Sequence, residues 1–255
     1  MSDTSAREIP TEQRDSVLLV RIDRPDRKNA LTLAMYAALA AALEEADRNP
    51  DIRVVVLTGG GDSFTSGNDI ADFLAAPPAG QDSPVFAFLE ALRRFGKPLI
   101  AAVNGVAAGI GVTLLLHCDL VYVRSGATLL LPFVNLGLCP EAGSSLLLPR
   151  LIGYPRAAEL LLLGEPFTAE QALDWGLING IGADAGATLE LALDKARRLA
   201  GQPPAAVRLA KALLKRPEAD AVRETMALES RHFVDLLGSP EAVAALRAFV
   251  GRRGS

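Results

Sequence analysis

Two glycine-containing turns could present backbone N–H groups to a ligand. The first lies within residues 63–70 (SFTSGNDI) and joins a buried, β-branched run to a predicted helix. The second lies within residues 104–112 (NGVAAGIGV) and joins the next such run to an apolar helix. The first N–H groups of a helix have no intrahelical partner, and two that converge on one oxygen would form an oxyanion hole. Both turns can equally be structural connections in which glycine allows close packing.

One acidic residue, Glu141, has surroundings that suit a general base. It belongs to residues 132–145 (PFVNLGLCPEAGSS), where apolar and small side chains flank it. A partly desolvated carboxylate is well suited to abstract a proton near neutral pH. The pair Pro140-Glu141 also predicts the first turn of a helix that runs to about Leu151, and an acid there complements the helix dipole. The sequence leaves both roles open.

The composition of the chain narrows the possible chemistry. Of 255 residues, 50% are hydrophobic and 22% are charged, the net charge is −4, and only two His and two Cys occur. These values exclude a mainly disordered chain and a disulfide scaffold. They also make a His- or Cys-rich metal site hard to assemble and argue against a nucleic-acid-binding protein. Cys118 and Cys139 are expected to be reduced thiols. With so little histidine, we expect carboxylates to carry any acid–base chemistry.

The common catalytic and nucleotide-binding motifs are missing from the sequence. Neither glycine turn fits the dinucleotide-binding pattern, because Phe64 and Leu114 stand where the third glycine is needed. The sequence has no P-loop Gly-Lys-Ser/Thr and no Gly-x-Ser-x-Gly nucleophile elbow. We interpret His117, which lies in an apolar run, and His232, which lies in a helical region, as structural residues.

Neither end of the sequence nor its interior predicts a membrane protein. Residues 1–14 are polar and lack the apolar core of a signal peptide. The longest strongly apolar helical stretch, residues 106–116, is shorter than the roughly 20 residues that span a bilayer. We therefore expect a soluble, cytoplasmic protein.

Strands and helices alternate over the first part of the chain, which is typical of an α/β protein. Hydrophobic patterns predict strands at residues 17–23, 53–58, 99–103, 120–123 and 128–131. They predict helices at residues 31–48, from about 68, and at 85–95, 106–116, 156–163, 169–175, 188–201, 205–214, 218–237 and 241–250. A change of composition at residues 201–204 separates a predicted core, residues 1–200, from a helical C-terminal region, residues 201–255.

The order and spacing of several segments resemble the crotonase superfamily, also called the enoyl-CoA hydratase/isomerase family. The segments are RPDRKNAL (24–31), RVVVLTGGGDSFTSGNDI (53–70), KPLIAAVNGVAAGIGVTLLLHCDLVYV (97–123), LPFVNLGLCPEAGSSLLLPRLIG (131–153), GEPFTAEQALDWGLIN (164–179) and PPAAVRLAKALL (203–214). The resemblance implies a β-β-α spiral core followed by C-terminal helices that build a trimer, often paired into a hexamer. It also implies an acyl-CoA thioester substrate whose carbonyl lies between two backbone N–H groups, here those of Asn68 and Ile110. Coenzyme A is then part of the substrate, and the resemblance implies no separate cofactor and no metal.

Within this family the acidic residues decide the activity. The two glutamates with which hydratases place and activate water would fall at Thr113 and Phe133, and neither is acidic. Glu141 instead stands where the peroxisomal-type Δ3,Δ2-enoyl-CoA isomerases carry a single catalytic glutamate. The resemblance therefore implies an isomerase that moves a double bond from the 3- to the 2-position of an enoyl-CoA, with Thr113 and Phe133 lining a water-poor acyl pocket. Two alternatives stay open: a hydratase or other crotonase reaction, and a non-catalytic acyl-CoA-binding protein.

Basic residues in the early loop are candidates to bind the phosphates of coenzyme A. They are Arg24, Arg27 and Lys28, although Asp23 and Asp26 make a plain solvated loop equally possible.

Three further features of the sequence are interpreted as structural. We interpret Lys211, Lys215 and Arg216 as a solvent-facing set, with phosphate contacts from the C-terminal helix of a neighbouring subunit as the alternative, and Asp119 as a structural acid. Residues 75–84, which are rich in Pro and Ala, predict an exposed loop, with a flap over the acyl chain as the alternative.

Overall fold

The computed structural model describes residues 7–78 and 83–253. The predicted loop at residues 75–84 therefore lies partly outside the described residues, and its role as a flap stays a prediction.

Ten strands in the described residues form two sheets. They are β1 Thr11–Arg14, β2 Val17–Ile22, β3 Val54–Gly59, β4 Ser63–Thr65, β5 Leu99–Val103, β6 Val106–Ala108, β7 Leu120–Arg124, β8 Thr128–Leu130, β9 Phe167–Thr168 and β10 Gly180–Gly182. The six-stranded sheet has the order β1-β2-β3-β5-β7-β10 and is parallel except for the pair β1–β2. The four-stranded sheet has the order β4-β6-β8-β9, with β4, β6 and β8 parallel and β9 antiparallel.

Helices connect these strands and make up the C-terminal region. The α-helices are α1 Leu33–Arg48, α2 Ile70–Ala75, α3 Pro84–Arg94, α4 Ile110–Thr113, α5 Ser144–Ile152, α6 Tyr154–Leu163, α7 Ala169–Asp174, α8 Ala185–Ala200, α9 Pro204–Lys215, α10 Ala219–Leu237 and α11 Pro240–Arg253. Short 3-10 helices lie at Pro25–Arg27, Leu114–His117, Val134–Leu136 and Arg216–Glu218. Several helices have local caps, such as the Thr32 side chain, which accepts from the Met35 N–H and starts α1.

The chain winds through both sheets in successive β-β-α turns. The pairs β3–β4, β5–β6 and β7–β8 each place their first strand in the large sheet and their second in the small one. This arrangement confirms the predicted α/β class and the β-β-α spiral.

Apolar side chains cover both faces of the large sheet. In β3, Val55 and Leu57 join the main core, whereas Val54 and Val56 point to the opposite face. Helix α8 packs on that opposite face, where its residues Ala192, Leu193 and Ala196 are buried. A parallel sheet buried on both faces reads in sequence as an uninterrupted apolar run, which is why β3 and β5 were predictable.

The C-terminal helices contribute to the same core as the sheets. Phe233 and Leu237 of α10 and Leu246 of α11 belong to the main apolar cluster. The division at residue 200 stays a prediction.

Two of the predicted helix boundaries are wrong. Residues 106–108 form strand β6 and not the start of a helix, because they pair with β4 and β8. Helix α5 begins at Ser144 and not at Pro140, because Ala142 and Gly143 take left-handed backbone angles, φ +60° and +73°, between Glu141 and the helix. In both places a tertiary partner outweighs the local helical pattern.

No helix of the described residues is long and apolar enough to cross a membrane. The same residues contain no group of three or more His, Cys, Asp or Glu side chains that could hold a metal ion. Cys118 and Cys139 are both free thiols.

Candidate active site

Parallel pairing of β4 with β6 brings the two glycine turns together. Thr65 pairs with Ala107, and Asn68 and Ile110 each lie three positions after these paired residues. Because the carboxyl ends of parallel strands meet at one sheet edge, the two turns emerge side by side. An ideal Cβ on Gly67 would lie 3.0 Å from the Ala108 carbonyl oxygen, which shows that the turns are in contact.

The backbone N–H groups of Asn68 and Ile110 are available at this edge. Among the described residues, neither of these two N–H groups donates a hydrogen bond to another protein group. Gly109 precedes Ile110 with φ +55° and ψ −117°, which is a conformation that only glycine adopts without strain. Two unpaired N–H groups in neighbouring turns provide the donors that an oxyanion hole requires.

A cavity of about 350 Å³ opens in front of these two turns. Asn68 and Ile110 lie on its wall, and most of the other lining side chains are apolar. The aromatic and aliphatic side chains of the lining include Phe73, Phe133, Leu138, Phe233, Leu246 and Phe249. A concave apolar pocket with a few convergent polar groups is the usual form of a small-molecule site.

Glu141 is buried next to this site, in the loop that precedes α5. Its side chain is 4% exposed, and its Oε1 atom has no hydrogen-bond partner in the described structure. Burial, assisted by the charge of Glu229, raises the pKa of the Glu141 carboxyl to about 8. Glu141 itself is not among the residues that line the cavity, but Leu138 of the same loop is. Burial therefore raises the pKa of Glu141 more than the dipole of α5 lowers it, because two residues separate Glu141 from the start of this helix.

The loop that carries Glu141 is held from two sides. On one side, His117 Nε2 lies 2.7 Å from the Ala142 carbonyl oxygen, and burial lowers the pKa of this imidazole to about 4. The neutral ring must donate this bond, because a carbonyl only accepts. On the other side, Glu229 of α10 accepts hydrogen bonds from the Gly143 and Ser145 N–H groups. His117 is thus the structural residue that its apolar setting predicted.

Tyr36 is a site residue that the sequence did not reveal. Its hydroxyl donates to the side-chain oxygen of Asn68, and its ring is completely buried in α1. Burial and the nearby charge of Glu141 raise the pKa of Tyr36 well above its usual value. Tyr36 thus links the turn of Asn68 to the vicinity of Glu141. Its position in an Ala- and Leu-rich amphipathic helix is typical of a core residue, so no sequence signal distinguished it.

Comparison with known proteins decides the family. The model of the family described as enoyl-CoA hydratase/isomerase matches residues 12–255. The chain belongs to the enoyl-CoA hydratase/isomerase family.

Members of this family with different reactions are similar to the chain. It is 36% identical to the 1,2-epoxyphenylacetyl-CoA isomerase of Escherichia coli (strain K12), over 93% of both proteins. It is 35% identical to the 2,3-dehydroadipyl-CoA hydratase of the same organism, over 96% of both. It is 34% identical to enoyl-CoA delta isomerase 2 of Rattus norvegicus, over 92% of this chain and 61% of that protein. The structure of Pseudomonas aeruginosa OdaA superposes with a TM-score of 0.93 at 54% identity, covering 95% of this chain and 98% of that one.

In this family member, a second cavity adjoins the first and carries basic side chains. It measures about 430 Å³, and its wall carries Arg27 and Lys28 together with the acidic residues Asp26 and Asp69. Lys28, Ile70 and Phe249 line both cavities, so the two are adjacent. Arg24 lines neither cavity, but its Nη1 lies 2.7 Å from Oδ2 of Asp69, which lies on the wall of the second cavity.

The two positions at which the resemblance predicts hydratase glutamates differ in their surroundings. Phe133 lines the apolar cavity. Thr113 is completely buried in α4, its Oγ1 has no hydrogen-bond partner, and it is not among the lining residues.

The basic residues of helix α9 do not form a simple solvent face. Lys211 is buried, with its Nζ 2.8 Å from Asp119 Oδ2 and 2.6 Å from the Lys97 carbonyl oxygen. Asp119 also accepts from the Leu99 N–H at 2.8 Å, so it joins α9 to the start of β5 as a structural acid. The solvent-facing interpretation is therefore wrong for Lys211, because tertiary packing supplies its ammonium group with partners.

Proposed function

We propose that the protein is a Δ3,Δ2-enoyl-CoA isomerase with Glu141 as its single acid–base residue. The observation that carries this proposal is a buried Glu141 carboxyl in the loop whose Leu138 lines the same cavity as two unpaired backbone N–H groups, while the two hydratase positions hold Thr113 and Phe133. One carboxylate is chemically sufficient for a double-bond shift, because the proton that is removed is returned to the same molecule.

The proposed reaction has two proton transfers. The thioester carbonyl accepts hydrogen bonds from the Asn68 and Ile110 N–H groups, which acidifies the C2–H bond. Ionised Glu141 removes the C2 proton, and the electron pair moves into a dienolate whose negative oxygen is held by these N–H groups. The dienolate then re-forms the thioester carbonyl, and the C=C bond moves from C3=C4 to C2=C3. The protonated Glu141 delivers its proton to C4. No atom is gained or lost.

The surroundings of Glu141 suit both transfers. A carboxyl whose pKa is about 8 is a stronger base than an exposed glutamate when ionised, and it still ionises near physiological pH. Among the described residues that line the apolar cavity there is no carboxylate that could activate water for addition to the double bond, and Phe133 stands in place of a glutamate.

The cavity composition also supports a substrate with an uncharged acyl group. Among the described residues that line the apolar cavity, Lys28 is the only charged one, and it lies where the two cavities join. An acyl chain that ended in a carboxylate would be buried there without a partner, at a considerable energetic cost. The basic side chains of the second cavity are placed to meet the phosphates of coenzyme A.

We further propose that the protein assembles as a homotrimer, which is the association that the family resemblance implies. Leu209, Leu213 and Leu214 on α9 are 61%, 56% and 82% exposed, and such contiguous apolar surface usually marks an interface. Light scattering on purified protein should give three times the chain mass; a strictly monomeric protein at micromolar concentration would contradict the proposal.

The decisive experiment compares the wild type with Glu141→Gln on a panel of 3-enoyl-CoA substrates of different chain lengths. We expect the wild type to form 2-enoyl-CoA and to exchange the C2 proton with heavy water, and Glu141→Gln to lose both activities by at least about a hundredfold. Glu44→Gln, which changes an exposed glutamate on α1, is the matched control and should behave as wild type.

Other outcomes separate the rival functions. Wild-type protein that isomerises no 3-enoyl-CoA would remove the proposal. Addition of water to crotonyl-CoA that survives Glu141→Gln would favour a hydratase. Tight binding of acyl-CoA without C2 proton exchange would favour a non-catalytic binding protein.

A further inference from the structure

Glu229 is a buried acidic residue far from Glu141 in the sequence but close to it in the fold. It lies on α10 and is 6% exposed. Its Oε2 accepts from the Gly143 N–H at 2.6 Å, and its Oε1 accepts from the Ser145 N–H at 2.9 Å and from the Ser145 hydroxyl. These donors belong to the residues just after Glu141.

The partners of Glu229 favour its ionised form. Three donors point at its two carboxyl oxygens, and they counteract the burial that raises the pKa of this group. None of the donors is a cation: within the described residues no Lys, Arg or His lies within ion-pair distance of Glu229. Because Gly143 and Ser145 form the N-terminus of α5, the carboxylate also complements the dipole of that nine-residue helix.

The hydrogen bonds of Glu229 fix the backbone on which Glu141 stands. Ser144 N–H donates to the Glu141 carbonyl at 3.0 Å, while its two neighbours, Gly143 and Ser145, donate to Glu229. Ala142 and Gly143 both have positive φ, so this turn needs external support. His117 supplies support at Ala142, and Glu229 supplies it at the next residues.

The other titratable groups that face Glu141 are neutral over the physiological range. Tyr36 of α1 keeps its proton, because burial raises its pKa well above 10. Burial also raises the pKa of Cys139, in the same loop, to about 11, and it lowers the pKa of His117 to about 4. The charged group that acts together with burial to raise the pKa of Glu141 is therefore Glu229.

We propose that Glu229 is a positioning residue for Glu141: its hydrogen bonds fix the turn that carries the base, and its charge, when Glu229 is ionised, opposes the ionisation of Glu141. The effect of Glu229 on catalysis rests on the proposed function. Its hydrogen bonds to the turn and its effect on the pKa of Glu141 do not. Glu229 touches neither the apolar cavity nor the two N–H groups, so it acts only through Glu141.

The effect of the Glu229 charge on Glu141 is tested by titrating Glu141 without any substrate. The infrared band of the protonated Glu141 carboxyl, assigned by its loss in Glu141→Gln, is followed against pH in wild type, Glu229→Gln and Glu224→Gln. We expect Glu229→Gln to lower the midpoint by about half a pH unit or more, because a neutral amide no longer opposes ionisation. Glu224→Gln, on the exposed side of the same helix, should leave the midpoint unchanged. An unchanged midpoint in folded Glu229→Gln would overturn the proposal.

The position is tested with Glu229→Asp, which keeps the charge but shortens the side chain. We expect kcat to fall about tenfold while KM changes less than about twofold, since the substrate site is untouched and the base is displaced. A kcat equal to that of the wild type in Glu229→Asp would overturn the positioning role. This test does not depend on whether Glu229→Gln folds. A wild type without isomerase activity would refute the proposed function alone, because the infrared titration needs no turnover.

Discussion

At the Glu141 carboxyl, two physical effects act in opposite directions. A helix N-terminus would favour the ionised form, and burial favours the protonated form. The structure places two left-handed residues between Glu141 and α5 and leaves the side chain 4% exposed, so burial prevails and the pKa rises to about 8. The same group is thus a stronger base and a source of instability.

This raised pKa predicts the pH dependence of the reaction. Only ionised Glu141 removes the C2 proton, so kcat/KM should rise with pH to a midpoint near 8 and fall to roughly one hundredth of its maximum at pH 6. Initial rates from about pH 5.5 to 9.5 measure this curve. A profile that is already flat above pH 6 would show that Glu141 ionises like an exposed glutamate.

Replacement of Glu141 by Gln should stabilise the fold while it removes activity. The folded-state pKa lies above that of the unfolded chain, so the stabilising contribution of the protonated carboxyl is lost as pH rises from about 4.5 to 8. We expect Glu141→Gln to raise the free energy of unfolding near pH 8 by about 1–3 kcal/mol and to differ little near pH 4. Urea unfolding at equal protein concentration measures the difference, with Glu44→Gln as control. A destabilised variant at pH 8 would contradict the expectation.

At the scale of elements, the register of β4 and β6 decides where the two oxyanion turns lie. The turns follow paired residues by equal distances and therefore present Asn68 and Ile110 together. Tyr36 of α1 supports one turn through the Asn68 side chain. The second turn depends on the backbone of Gly109, where an added Cβ would meet no atom within 4 Å.

Because an added Cβ at Gly109 would meet no atom, Gly109→Ala tests the backbone geometry of this turn without a steric clash. Gly109→Ala introduces strain at φ +55° without a steric clash, and Gly126→Ala introduces similar strain at φ +74° in the turn between β7 and β8. Both variants should lose about 1–2 kcal/mol of stability. Only Gly109→Ala should also lose kcat, by about a hundredfold, because the Ile110 N–H is displaced. Equal kcat in the two variants would exclude Ile110 as an oxyanion donor. Thermal unfolding and steady-state kinetics supply the two readings.

At the scale of the whole molecule, elements from both ends of the chain build two adjacent cavities. The early loop contributes Arg27 and Lys28, together with Asp26, to the charged cavity, and α10 and α11 contribute Phe233, Leu246 and Phe249 to the apolar one. A ligand with a charged end and an apolar end fits this division.

The separation of a charged cavity from an apolar one predicts how Arg27 and Lys28 affect substrate binding. Arg27→Ala and Lys28→Ala should each raise KM for an acyl-CoA about tenfold and leave kcat nearly unchanged, because the phosphates lie far from the reacting carbon. The KM of the corresponding acyl-pantetheine, which lacks the phosphates, should not change. Arg197→Ala, an exposed arginine on α8, is the control. Equal effects on both substrates would contradict the phosphate assignment.

The sequence by itself determined the α/β class, most strands of the large sheet and the identity of the chemically important segments. Buried parallel strands are continuous apolar runs, and glycine turns and the single acid are visible as local patterns. The order of these segments also determined the family. The cytoplasmic location and the absence of a separate cofactor stay predictions.

Only the tertiary structure decided the burial, the pKa and the hydrogen-bond partners of the candidate site residues. Strand β6 forms because β4 and β8 lie beside it, and α5 starts late because Glu229 and His117 hold the preceding turn. The environments of Glu141, Tyr36 and Lys211 come from elements distant in sequence. Desolvation and Coulomb interactions depend on distances through space, which no local pattern of residues contains.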